Sequence, residues 1–318
     1  MALILTFIKY IYIIANMDHA PYQQKADIAF EKANKNIRKY NSKVYRLLLP
    51  KEYTNNIKEE TIDYLSIAAK NYKLIKSYDQ YVKSLVLKAD IEKEMDNSQY
   101  LSTVMELGNH FSYTDSFNET QAINYYNLAL THCLNTDSSK IFYIYEKIID
   151  IHNKSHNPEE AIRICEEILS EYTHFLNDSN IEKVYGKLSE YYFEEKSYEK
   201  AYNIYHTHAK KLIDKKYAMF VIDKYFYKAL LCTLANNDVV NAKNKYAEYC
   251  DDSALFASSR SAKFVNNILE AVYNNNGEEF ANHVQEYDKI SKLSNAEVSC
   301  LLQIKKLYFS DNGEVDLT

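Results

Sequence analysis

The chain has 318 residues, of which 47% are hydrophobic and 26% charged, and it carries a formal net charge of −6. That is ample material for a large core, and the acidic balance argues against nucleic acid as a partner, since phosphate binding needs a basic surface. Only 4 Gly and 3 Pro occur, which excludes the Gly-rich phosphate loops and dense turns of an α/β enzyme and points to helices throughout.

The first sixteen residues, MALILTFIKYIYIIAN, are apolar and interrupted by Lys9. They fall short of the roughly 20 residues that span a bilayer comfortably and fit a signal peptide poorly. Two readings stay open: an extension upstream of a start at Met17, or a hydrophobic anchor. A first amphipathic helix is expected over Ala26–Tyr40, with Ile28, Ala29, Ala33 and Ile37 on one side. The stretch YNSKVYRLLLPKEYTNN breaks that pattern, and Pro50 and its Asn residues predict a loop. Within it Val44, Tyr45, Leu47, Leu48 and Leu49 crowd together, flanked by Lys43, Arg46 and Lys51. These apolar residues either fill the space between two helices or form an exposed tip with basic flanks that inserts shallowly into a membrane surface.

Helix pairs are expected from Ile57 onward: 57–76 with 78–94, 100–113 with 119–134, 140–152 with 159–175, 181–195 with 198–211, and 217–235 with 239–249. The second helix of each pair opens on one recurring phrase, seen as SYDQYVKSLVL, NETQAINYYNLAL, NPEEAIRICEEIL, SYEKAYNIYHTHA and NDVVNAKNKYAEY. Its fifth positions, or the sixth in the last phrase, are Tyr81, Ala122, Ala161, Ala201 and Ala242, spaced 39 to 41 residues apart. A fixed period of this size marks a stacked repeat, longer than the roughly 34 residues of an ordinary tetratricopeptide repeat. Such stacks offer long surfaces to other macromolecules rather than one catalytic cleft. Three more helices follow, near 258–274, 278–290 and 296–308, and SDNGEVDLT closes the chain as a polar, acidic tail that cannot form a core.

The expected fold is therefore all-α: a TPR-like antiparallel helix-pair solenoid, right-handed, with about 40-residue repeats and a C-terminal helical bundle as cap. Its expected divisions are 1–16, a hydrophobic extension; 17–250, the repeats; 251–309, the bundle; and 310–318, the tail.

Chemistry-bearing motifs are sparse. Cys133, Cys165, Cys232, Cys250 and Cys300 show no CxxC spacing and read as buried thiols. His152 and His156 have i,i+4 spacing, but Asn157-Pro158 ends the helix between them, so a metal there is not expected. No nucleophile stands beside a base, and the chain is expected to be no enzyme and to need no cofactor. The 31 Tyr are expected to pack their rings inward with hydroxyls at the rim. Lys183 and Lys187 place two like charges four apart on one helix, which costs the helix slightly. They form either a solvated edge or a basic strip for an acidic partner. Arg260 with Lys263 is a second such pair, with Lys228 a further contributor.

The segments DKYFYKALLC (223–232), FASSRSAKF (256–264), ILEA (268–271), EYDKISKL (286–293) and LLQIKKLY (301–308) resemble the α-type soluble NSF attachment proteins, the SNAP adaptors. The likeness extends more loosely upstream to about residue 17. It implies an adaptor of vesicle traffic, cytoplasmic and peripherally associated with membranes, that coats a four-helix SNARE bundle and recruits and stimulates the hexameric NSF ATPase. It implies SNARE contacts at Lys183, Lys187, Lys228, Arg260 and Lys263, and membrane contact at Val44, Tyr45, Leu47, Leu48 and Leu49. ATPase contact is implied at Glu278, Glu279, Asp316 and Leu317. The chain departs from the family pattern where Asn266-Asn267 replace a basic pair and Tyr273-Asn274 an acidic one. The alternative is a general helical-repeat scaffold for another peptide or helix.

Overall fold

The structure is a computed structural model that describes residues 19–48, 50–113, 117–136, 140–213 and 219–309. These residues form sixteen α-helices, one 3₁₀ turn and no strand. The chain separates into two compact units, residues 1–156 and 157–318.

The first unit holds α1 (Ala20–Asn41), α2 (Lys43–Leu48), α3 (Lys51–Leu74), α4 (Tyr78–Glu94), α5 (Tyr100–Tyr113), α6 (Glu119–Thr136) and α7 (Ile141–Lys154). Here α1 lies along α3, and each helix from α3 to α6 packs on the next. Two of its apolar clusters form around Ala26, Ala29, Ala68, Tyr72, Tyr81 and Leu107 and around Ala33, Ile57, Ile62, Leu65 and Ile91.

The second unit holds α8 (Pro158–Glu171), a 3₁₀ turn at Thr173–Phe175, α9 (Asp178–Glu194), α10 (Tyr198–Leu212), α11 (Met219–Ala235), α12 (Val239–Asp252), α13 (Ala254–Ala257), α14 (Arg260–Tyr273), α15 (Gly277–Ile290) and α16 (Asn295–Phe309). Its centre is α11, which touches α10, α12, α13, α14 and α16. Residues 225–235 are all buried, as a helix surrounded on every side must be.

The recurring phrase has a physical basis. Tyr81, Ala122, Ala161, Ala201 and Ala242 are all buried, and the four alanines are fully so. A methyl there lets neighbouring helices approach closely, and a larger side chain would force the backbones apart. Before four of the five phrases the turn is a left-handed residue, Lys76, His156, Lys196 or Asn237, followed directly by the next helix's N-cap, and Asp96 and Asn275 make similar turns elsewhere. Lys76, Asp96, His156, Lys196, Asn237 and Asn275 all have φ between 49° and 61°. In five of these turns the following N–H returns to a carbonyl five residues back, as from Ser77 to Tyr72 (2.9 Å), Ser197 to Tyr192 (2.8 Å) and Asn276 to Ala271 (2.9 Å). That bond satisfies an orphan carbonyl at the helix end, a role usually given to Gly. This chain makes the turn without Gly.

The tyrosines fill the spaces between helices. Rings of Tyr72, Tyr81, Tyr126, Tyr205 and Tyr249 are among the largest fully buried groups. Hydroxyls reach acceptors on neighbouring helices: Tyr72 donates to Asp27, Tyr81 to Glu106 and Tyr126 to Asn109, each at 2.8 Å.

Helix boundaries depart from expectation at three places. The predicted loop at 41–56 is largely helical, because α2 forms over Lys43–Leu48 and α3 begins at Lys51. Pro50 is the N-cap of α3, where its missing N–H costs nothing, and its carbonyl accepts the first helical bond from Thr54 at 3.3 Å. The expected helix through Phe175 stops at Glu171, and α9 starts at Asp178 because the Asn177 side chain caps it. A separate short helix, α13, precedes α14. Cys133, Cys165, Cys232 and Cys300 are buried and Cys250 half-buried.

Candidate functional site

On α9, Val184 and Leu188 face the core, which turns Lys183 and Lys187 along the flank of the same helix. Lys183 is exposed and Lys187 half-buried, one turn apart. The Lys187 ammonium lies near enough to Cys165 to oppose burial, which pushes that thiol up to about 12. A Cβ on Gly186, between the two lysines, would sit 3.3 Å from the Tyr225 hydroxyl of α11. The absent side chain brings α9 and α11 together.

The repeat carries the basic positions forward. Lys224 and Lys228 stand 41 residues after Lys183 and Lys187, the same step that separates Ala201 from Ala242. Their environments differ. Lys224 keeps 57% of its side chain exposed and pairs with Glu190 of α9 at 2.8 Å. Lys228 is 3% exposed. Its ammonium lies 3.5 Å from Glu190, 3.7 Å from Glu297 of α16 and 4.0 Å from the Phe193 ring centroid. Burial pushes Glu190 up, but Lys228 and Lys224 outweigh it and hold the carboxyl below its usual range. The expectation that Lys228 belongs to a binding surface is therefore corrected: its charge is enclosed and neutralised where α9, α11 and α16 meet. Lys224 is the exposed cation that sequence reasoning missed, although the period itself pointed to it.

Arg260 and Lys263 are exposed on the first two turns of α14. Arg260 donates to the Ser291 hydroxyl at 3.0 Å, and Ser261 anchors the helix to Asp223 of α11 at 2.9 Å. Cations at a helix N-terminus oppose its dipole, so helix stability does not explain this pair. Along the consecutive first helices α9, α11 and α14, the unit thus presents Lys183, Lys187, Lys224, Arg260 and Lys263.

Glu278 and Glu279 are exposed in the first turn of α15, where they complement the dipole. Asn276 caps that turn, accepting from the Glu279 N–H at 3.0 Å. A Cβ at Gly277 would lie 3.2 Å from the Phe309 ring, so any other residue there would have to displace that ring slightly. Asp316 and Leu317 lie outside the described residues, as do residues 1–16.

In the first unit, α2 projects its apolar side chains outward: Val44 is 61%, Tyr45 37%, Leu47 86% and Leu48 72% exposed. They do not fill a space between helices, so the packing alternative is set aside for them; Leu49 lies outside the described residues. Lys39 braces the base of this tip, with its ammonium 5.5 Å from the Tyr45 ring and 5.4 Å from that of Tyr53. Farther along the unit, Lys147 stands 40 residues before Lys187. It donates to the Tyr113 hydroxyl at 3.0 Å. His152, expected near a helix end, sits 3.5 Å from Glu119, and His156 occupies the left-handed turn beyond α7. Among the described residues no cluster of three His, Cys, Asp or Glu side chains is placed to hold a metal, and no helix is long and apolar enough to cross a membrane.

Helix pairs that bury the same face at a fixed period define a helical-repeat protein. The chain matches the family model described as soluble NSF attachment protein, SNAP, over residues 24–308, and it belongs to that family. The alpha-soluble NSF attachment protein of Mus musculus is 26% identical over 269 residues, covering 81% of this chain and 87% of that protein. The Dictyostelium discoideum protein of the same name is 39% identical over 108 residues, 34% of this chain and 37% of its own length. The vesicular-fusion protein SEC17 of Coprinopsis cinerea is 29% identical over 122 residues, covering 38% and 42% respectively.

Proposed function

We propose that this chain is a non-enzymatic adaptor of vesicle fusion that grips a SNARE four-helix bundle and presents it to the hexameric NSF ATPase for disassembly. The family match over residues 24–308 carries this reading. Lys183, Lys187, Arg260 and Lys263 are its bundle contacts, with Lys224 added and Lys228 removed. Their charges supply orientation and encounter rate more than net affinity. Glu278 and Glu279, together with Asp316 and Leu317, form the ATPase contact, and the tip at Val44, Tyr45, Leu47, Leu48 and Leu49 rests on the membrane carrying the bundle.

A pull-down from native lysate, probed for SNAREs and for the ATPase, tests the whole reading: both are expected on the bait. Recovery of neither by a folded bait would return the chain to a general helical-repeat scaffold. Leu317→Ala separates the two contacts. It is expected to keep bundle binding and lower stimulated ATPase turnover, and unchanged turnover would remove Leu317 from the site.

A further inference from the structure

The exposed tip stands in an unusual run of charge. From Lys32 to Lys51 the sequence contains seven cations, Lys32, Lys35, Arg38, Lys39, Lys43, Arg46 and Lys51, and no Asp or Glu. This occurs in a chain whose net charge is −6, so the remainder is more acidic still. Arg38, Lys43 and Lys51 are exposed at the end of α1 and the starts of α2 and α3. They flank the exposed Val44, Leu47 and Leu48 in sequence, on the three helices that meet around the tip. The nearest acids in sequence are Glu31 and Glu52, at the two edges of the run; on α3, Glu60 accepts from Asn36 at 3.1 Å and from the Tyr64 hydroxyl at 2.8 Å.

We propose that this collar makes the tip selective for bilayers carrying anionic lipid: Val44, Leu47 and Leu48 enter the headgroup region, and Arg38, Lys43 and Lys51 hold negative headgroups around them. The inference rests on the membrane contact proposed above and adds the lipid class. Two physical points carry it. Three or four partly inserted apolar side chains give only shallow, reversible attachment, and a second signal is needed to hold such a contact. A protein of net negative charge is repelled by an anionic surface unless it presents its cations locally, and each cation near the surface strengthens attachment about five-fold. Lys39 lies 5.5 Å from the Tyr45 ring and 5.4 Å from the Tyr53 ring, which links the end of α1 to the tip and to the start of α3.

The test is co-sedimentation of the full chain with vesicles of phosphatidylcholine alone or of phosphatidylcholine mixed with phosphatidylserine. Binding to the mixed vesicles is expected to be at least about ten-fold tighter, and the advantage should vanish at about 0.5 M salt, where screening acts within a few ångströms. Arg38→Gln with Lys43→Gln and Lys51→Gln should abolish the advantage and leave binding to neutral vesicles unchanged. Lys70→Gln with Lys93→Gln, exposed cations of the same unit outside the collar, should leave it intact. Leu47→Ser with Leu48→Ser should weaken binding to both compositions. Equal binding of the unaltered chain to both vesicles, or an advantage that survives loss of the collar, would overturn the lipid selectivity while sparing the membrane contact. Failure to bind either vesicle would overturn the contact itself.

Discussion

The tip of the first unit and the centre of the second invert the usual partition of side chains in opposite directions. At α2, Leu47 is 86% exposed, while on α11, Lys228 is 3% exposed. The buried lysine is accounted for within the chain, because Glu190, Glu297 and the face of Phe193 surround it. The exposed leucines gain nothing from folding, and nothing among the described residues covers them. A rule broken with internal compensation therefore marks structure, and the same rule broken without it marks a contact to something outside.

The largest effect should come from breaking the compensated side. Lys228→Ala leaves two inward-facing carboxylates without their shared cation and should destabilise the protein by about 3 kcal/mol, as loss of one partner in a buried pair does. Lys224→Ala, forty-one residues after Lys183 and half-exposed, should cost well under about 1 kcal/mol. Denaturant titration of the two variants separates them; equal, small losses would return Lys228 to the surface.

The uncompensated side should behave in reverse. Leu47→Ser with Leu48→Ser should change stability by no more than about 0.5 kcal/mol while slowing bundle disassembly on liposomes more than in detergent. A matching loss in detergent would mean that the leucines support the fold after all.

A smaller effect tests the turns. Lys196 is exposed and holds φ at 59°, a conformation that disfavours any residue with a Cβ. Lys196→Gly should raise stability by about 0.5–1 kcal/mol, and the thermal midpoint reports it. The smallest effect concerns pH. Glu190 sits below its usual range in the folded protein, so its contribution is complete above the unfolded value of about 4.3. It is lost as pH falls through the folded value. Glu190→Gln should flatten that part of the acid-stability profile, and an unchanged profile would show that other carboxylates dominate it.

Much of this was legible in the chain. The phrase from Tyr81 to Ala242 located five buried helix contacts, because a stack must bury the same face in every repeat. The turns were legible by position and not by chemistry, since Lys76, Lys196 and Asn237 fill a place where Gly is the expected sign. Pro50 read as a breaker, yet the same missing N–H that breaks a helix interior is harmless at an N-cap. Lys228 was misplaced because its charge was weighed alone. Its neighbours Tyr225, Phe226, Tyr227, Ala229, Leu230 and Leu231 leave no polar face on that stretch of the helix, and a lysine in such a run needs buried carboxylates drawn from distant sequence. Lys224 lies one period beyond Lys183, so the spacing of the repeat points to it.

The central claim is that the cations on the first helices of the second unit grip an acidic bundle. The direct measurement is the affinity of the full chain for a preassembled SNARE four-helix bundle, compared with Lys183→Glu plus Lys187→Glu at low and high salt. The account predicts a loss of at least about ten-fold at low salt that narrows as salt screens the contact. Equal affinities at low salt, with both proteins folded, would contradict it.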